Sequence, residues 1–159
     1  MPTDLPSPAR TVSKVFVHEQ LVRFSHCDPA GIVYYPWFLD MAHAVKEEWF
    51  ERGLGYSHFE LIRERRIGTP TVNLQCDFLR PVEMGETLRW ELRVARLGNA
   101  SVQLALTGKR EGEECLKLLQ TIAFMNLDTR KAIAVPEDLR PRIEEYLAAL
   151  PPARASRYC

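Results

Sequence analysis

This sequence lacks an excess of either charge: its 159 residues hold 21 Lys plus Arg against 21 Asp plus Glu. No global field draws such a chain to DNA, RNA or an anionic membrane, so nucleic-acid and membrane partners are set aside. Long apolar runs are also missing. No segment approaches the ~18 residues of a membrane-spanning helix, and the opening Met-Pro-Thr-Asp-Leu-Pro-Ser-Pro has no apolar run to serve as a signal peptide. A cytosolic protein is the expectation. The four cysteines, at 27, 76, 115 and 159, form no CxxC, and the four histidines are scattered at 18, 26, 43 and 58. A zinc site therefore has no support, and no metal is expected. There is no Gly-rich phosphate loop and no internal repeat.

What is present reads as an ordinary globule, with 46% hydrophobic and 26% charged residues. The length suits one domain with a real core. Residues 1–12 hold three prolines and little apolar material, and read as a flexible arm. A single domain is expected over 13–150, with a tail over 151–159 after Pro151-Pro152.

Val15 to Phe24 alternates as a strand with both faces partly covered. Beyond it Phe38, Met41, Ala42, Val45 and Trp49 recur at three- and four-residue steps, predicting a helix from Pro36 with a strongly apolar face. Asp40, Lys46, Glu47 and Glu51 fall largely off that face, and Gly53 and Gly55 end the helix. His58 to Arg65 has the length of a short helix. A strand follows in which Val72, Leu74, Cys76 and Phe78 form a core face and Thr71, Asn73, Gln75 and Asp77 a polar one. Three more strands are expected near 86–96, 100–108 and 115–126, with hairpin turns at Gly98-Asn99 and Glu111-Gly112. Ile143, Tyr146, Leu147 and Leu150 give a modest terminal helix. One strand, a long helix and four consecutive strands favour α+β with a meandering antiparallel sheet.

The stretch with the look of a site is His26-Cys27-Asp28-Pro29-Ala30-Gly31-Ile32-Val33-Tyr34-Tyr35-Pro36. A helix opening at Pro36 has no Ser, Thr, Asp or Asn immediately before it, so its first N–H groups are left for a ligand's carbonyl oxygen, backed by the helix dipole. Asp28 would be the one charged group near that oxygen, which suggests addition to a carbonyl by direct attack or by activating water. The plainer alternative is that Asp28 caps its own Asp-Pro-Ala-Gly turn.

The run Cys27 to Pro36, together with Gly68-Thr69-Pro70 and Ala132-Ile133-Ala134-Val135-Pro136, resembles the 4-hydroxybenzoyl-CoA thioesterase family of hotdog-fold enzymes over roughly residues 14 to 140. The resemblance implies a curved antiparallel sheet of about five strands wrapped around a long central helix. It implies sheets paired edge to edge in a homodimer with the active sites in its interface, and further association to a homotetramer. It implies hydrolysis of an aryl or short- to medium-chain acyl-CoA to free acid and CoA, coenzyme A entering as part of the substrate with no separate cofactor. The catalytic carboxylate then falls on Asp28 and the carbonyl-polarising backbone N–H on Tyr35. Gly31 allows close approach of the thioester or relieves a positive φ.

His26 orients substrate or water, or is merely structural. His43 stands where the 4-hydroxybenzoyl enzymes carry an aspartate that recognises the phenol. Tyr34 and Trp37 line the acyl pocket or serve the helix-to-sheet core, Phe38 reads as core, and Thr69 is in the substrate-binding set. Arg96, with Asn99 and Ser101 around the hairpin, and Arg65 or Arg66 before Gly68 are the candidates for the CoA phosphates. Cys27 is set aside as a nucleophile because no histidine–acid arrangement accompanies it. The rival readings are an acyl carrier protein thioesterase and a noncatalytic acyl-CoA binding protein.

Overall fold

The computed structural model describes residues 12–148. The apolar spacing does form a helix, α1 (Tyr35–Glu48), and Phe38, Met41, Ala42 and Val45 are all buried, as is Trp49 just after it. It starts one residue before Pro36, which sits in the first turn, where its fixed φ fits and its missing N–H costs nothing. The chain leaves through a π-helical turn, Trp49–Gly53. A Cβ on Gly53 would lie 2.6 Å from Cδ1 of Trp49, so glycine lets the backbone close over the buried indole.

Before α1 runs β1 (Phe16–Leu21). After it come α2 (His58–Arg63), whose Ser57 side chain accepts the Glu60 N–H, then β2 (Ile67–Gly68) and β3 (Thr71–Phe78). The meander follows as β4 (Thr87–Leu97), β5 (Ser101–Arg110) and β6 (Glu113–Ala123). Two short strands, β7 (Met125–Asn126) and β8 (Lys131–Ala132), precede α3 (Arg140–Glu144). The main sheet is antiparallel in the order β1-β4-β5-β6-β3, and β2, β7 and β8 form a small second sheet. At the β5–β6 turn Glu111 and Gly112 both take positive φ, 49° and 83°, the backbone a tight hairpin needs.

Alternation along β4, β5 and β6 sends Leu88, Trp90, Leu92, Val94, Leu104, Leu106, Leu116, Leu118 and Ile122 inward against α1. Each such side chain contributes roughly 1.5–3 kcal/mol of transfer free energy. The result is a five-stranded antiparallel sheet wrapped around a central helix, the hotdog arrangement.

The helix lies along the strands. Gln20 Nε2 donates to the Met41 carbonyl at 3.3 Å, while two residues earlier in β1 His18 Nδ1 meets Arg52 at 2.8 Å. As β1 descends, α1 therefore climbs. At the opposite edge of the sheet Phe78 meets Phe38 and Tyr35 with ring centroids 5.9 and 6.3 Å apart, so the start of α1 sits by the end of β3.

Three expectations are corrected. The apolar face of β3 is not core within one chain: Val72, Leu74 and Phe78 are 60%, 41% and 51% exposed, because β3 is the edge strand of the sheet. Lys46 is not on the solvated face but buried. Helix α3 is short, Tyr146 being buried just beyond its end. Leu150, the arm and the tail lie outside the described residues, except for Val12.

Candidate active site

The signature folds as a miniature hairpin welded to the start of α1. Tyr34 N–H donates to His26 O, Cys27 bridges Val33, and Asp28 N–H donates to Ile32 O at 3.0 Å. Pro29, Ala30 and Gly31 form the tip, where Gly31 has φ of 80° and an added Cβ would meet nothing within 4 Å. Backbone conformation, rather than crowding, therefore makes this position glycine. The hairpin is anchored from outside by Val33 N–H to Val82 O and by the Ile32–Glu83 bridge.

One carboxylate oxygen of half-buried Asp28 accepts the Ala30 N–H at 2.8 Å, the turn-capping contact expected of Asp. The second oxygen has no partner among the described residues. The helix start is likewise open: Tyr34 provides no side-chain cap, and the Tyr35 N–H donates to no group among the described residues. A half-buried carboxylate with one oxygen engaged and an uncapped helix N-terminus thus belong to one short segment. Such a pair can act on a carbonyl, the N–H and the dipole drawing charge onto its oxygen while the carboxylate works at its carbon.

Exposed aromatics surround this end. Tyr34 stacks edge-on against Tyr35 at 5.3 Å, and the His26 ring lies 5.6 Å from that of Trp37. His26 Nδ1 accepts the Arg23 N–H at 3.0 Å, leaving Nε2 as the nitrogen that carries the proton in the neutral ring.

The remaining expected residues lie elsewhere. Arg96 and Asn99 are exposed at the β4–β5 hairpin, the end of the sheet remote from Asp28, and Thr69 is buried at the same end before β3. Arg65 is held bidentately by Asp138 at 2.8 and 3.1 Å, and Arg66 pairs with Asp128 at 3.0 Å. The length of β3, eight residues or about 26 Å, separates the two ends. His43 is on the outer side of α1, its Nε2 3.0 Å from Glu47.

The sequence pattern of the thioesterase-like superfamily matches residues 22–143, from just before the signature hairpin to the last helix. The chain belongs to the thioesterase-like superfamily. It is similar to a 1,4-dihydroxy-2-naphthoyl-CoA hydrolase from Prochlorococcus marinus, 28% identical over 127 residues that cover 76% of this chain and 83% of that one. It is similar to another hydrolase of that name from Thermosynechococcus vestitus, 27% identical over 135 residues, covering 84% and 88%. Its fold matches the crystal structure of a thioesterase superfamily protein from Jannaschia sp. with a TM-score of 0.80 and 28% identity, over 91% of this chain and all of the other.

Two depressions mark the surface of this thioesterase. One depression of about 320 Å³ lies between β1 and α1, and another of about 550 Å³ between α1 and α2. Neither is lined by Asp28 or Tyr35. None of the described helices is long and apolar enough to cross a membrane. Sequence reasoning missed Lys46 and Gln120, both buried in the thioesterase core. Helical phase was the available signal for Lys46, since it falls close to the line through Tyr35 and Ala42.

Proposed function

We propose that this thioesterase hydrolyses an aryl-CoA thioester to the free acid and CoA at a site shared between two copies of the chain. Cleavage of an acyl-CoA thioester is the activity its family membership carries. The aryl preference is supported by the two relatives named for a naphthoyl-CoA and by the aromatic side chains around the helix start. The single observation carrying the mechanism is the unengaged Asp28 oxygen in the short hairpin that leads into the uncapped start of α1.

The thioester oxygen is received by the Tyr35 N–H, which polarises the carbonyl. Asp28 adds to the carbonyl carbon and the C–S bond breaks to leave an acyl-enzyme anhydride, which water hydrolyses to the free acid and the restored Asp28 carboxylate; or Asp28 takes a proton from a water that adds to that carbon, and the C–S bond breaks as the adduct collapses to the acid. In both routes CoA leaves as the thiolate. Thiolate is an adequate leaving group, so no strong protein acid is needed. Gly31 holds the hairpin tip in its left-handed conformation, and Trp37, Tyr34 and His26 border the acyl group.

The second copy follows from β3. An exposed edge strand bearing Val72, Leu74 and Phe78 calls for cover, and a two-fold pairing of β3 with itself runs antiparallel. That pairing brings the Thr69, Arg96 and Asn99 end of one chain toward the Asp28 end of its partner. Residues divided between two ends of one chain would thereby serve a single site, with the cations near the CoA phosphates.

The test is thiol release from benzoyl-, hydroxybenzoyl-, naphthoyl-, phenylacetyl- and aliphatic acyl-CoA by wild type and Asp28→Asn. Turnover of at least one aryl thioester, reduced at least ~100-fold in the variant, is expected. Equal slow release by both proteins across the panel would contradict the reading.

A further inference from the structure

His26 and Asp28 flank Cys27 in the signature hairpin, and each carries a group left unengaged. Cys27 bridges Val33, which is buried, and Cys27 packs against the same core. Opposed residues of an antiparallel pair share a face, while successive residues along a strand alternate. His26 and Asp28 therefore both lie on the face turned away from the core, their Cα atoms about 7 Å apart.

The histidine is held on two sides. Its Nδ1 accepts the Arg23 N–H at 3.0 Å, closing the 3-10 turn Phe24–His26, and its ring lies 5.6 Å from that of Trp37 in the first turn of α1. The neutral ring thus carries its proton on Nε2, and that N–H has no acceptor among the described residues. Asp28 offers the complement: with one oxygen taken by the Ala30 N–H, its other oxygen has no donor among them. His26 also lines the depression of about 320 Å³ between β1 and α1, beside Gln20, Arg23 and Asp40, so the half-buried ring meets solvent on a side apart from the helix start.

We propose that His26 holds the hydrolytic water against Asp28. A fixed donor and a free acceptor on one face suit a molecule that accepts and donates at once. Water accepts from His26 Nε2–H and donates to the free Asp28 oxygen, and its second lone pair is left for the carbonyl carbon. Two hydrogen bonds in series reach about 5.7 Å, comparable with the spacing of the two residues. The water oxygen adds to the carbonyl carbon polarised by the Tyr35 N–H as its proton passes to Asp28. The adduct collapses with loss of the C–S bond to give the acid and the CoA thiolate, and Asp28 returns the proton to the thiolate. His26 keeps its own proton throughout. The inference rests on the hydrolytic reading of Asp28 and decides between its two routes in favour of water.

Two substitutions separate this role from that of a turn cap. Asparagine at position 26 keeps an acceptor near the place of Nδ1, and so the Arg23 contact, but has no donor near Nε2. Glutamine puts an amide N–H near Nε2 and gives up the acceptor. The experiment measures kcat and KM for wild type, His26→Asn and His26→Gln on the aryl-CoA that wild type cleaves fastest, and the ratio of methyl ester to acid formed in aqueous methanol. In His26→Asn, kcat is expected to fall ~10-fold or more with KM within about 2-fold, while His26→Gln keeps most of the wild-type kcat. The ester-to-acid ratio is expected to rise at least ~2-fold in His26→Asn, because a site that no longer fixes water admits the alcohol. The reverse order, with His26→Asn near wild type and His26→Gln impaired, would make His26 a turn cap and overturn the proposal. Equal kcat in all three proteins, equal loss in both variants, or an ester-to-acid ratio that does not move would overturn it as well. Any of these leaves the Asp28 reading standing so long as Asp28→Asn still loses turnover; if Asp28→Asn and wild type release thiol alike, that reading falls too.

Discussion

The two ends of the sheet are built on opposite terms. At the end holding Asp28 and the start of α1, polar groups are left open: a carboxylate oxygen, a helix N–H and exposed aromatic rings. At the other end most are closed. Arg65 grips Asp138, Arg66 grips Asp128, and Arg140 donates to the carbonyls of Gly98 and Asn99 at 2.8 and 3.1 Å. Groups paired inside the chain hold structure together, while unpaired ones await a ligand. Bond breaking is therefore expected to depend on the first end, and local stability on the paired groups of the second.

The largest effect that would break this contrast is at Asp28. Asp28→Asn keeps the hydrogen bond from Ala30, so its unfolding free energy should stay within about 0.5 kcal/mol of wild type while kcat/KM falls at least ~100-fold. Next comes the edge that joins the two ends across copies. Leu74→Lys puts a charge on the exposed face of β3, and sedimentation should show dissociation with activity down at least ~10-fold.

A smaller effect concerns the buried lysine of α1. Burial holds the Lys46 ammonium below its ordinary pKa, so in the window up to that value the unfolded chain binds more protons and wild-type stability rises with pH. Denaturant curves should show Lys46→Met more stable by about 1 kcal/mol at neutral pH, the gap narrowing as pH rises through that window. The smallest effect is at the closed end. The hydrogen bond from Arg65 holds the Asp138 carboxyl below its ordinary range, so its contribution is present at neutral pH and lost as pH falls through the lowered value. The pair is part-exposed and screened, so Asp138→Asn should cost less than about 1 kcal/mol at neutral pH, with the difference vanishing in acid. Turnover should hardly change.

Periodicity made the helix and the meander legible. The spacing of Phe38, Met41, Ala42, Val45 and Trp49 defines a face that is wholly buried, and Leu88, Trp90, Leu92 and Val94 share the inner face of β4. The hairpins at Gly98 and at Glu111-Gly112 fall where their residues indicated. The alternation in β3 announced an apolar face correctly, yet alternation says only that a face wants cover, not which chain supplies it. Lys46 went unrecognised because a charge adjoining an apolar stripe reads as its solvated border; its burial depends on tertiary neighbours that spacing within the helix does not reveal. Resemblance and chain pattern together singled out Asp28 and Tyr35, and the structure adds the open oxygen and the open N–H. The pairing of Arg65 and Arg66 was illegible because Asp138 and Asp128 lie more than sixty residues away in sequence.

The central claim is that the open end of one chain works with the remote end of another. It is tested most directly by following specific activity on a cleavable aryl-CoA across a dilution series, with sedimentation measured in parallel. The account predicts that activity per chain falls as the assembly dissociates, along the same curve. Undiminished turnover at concentrations where the protein sediments as a folded monomer would contradict it.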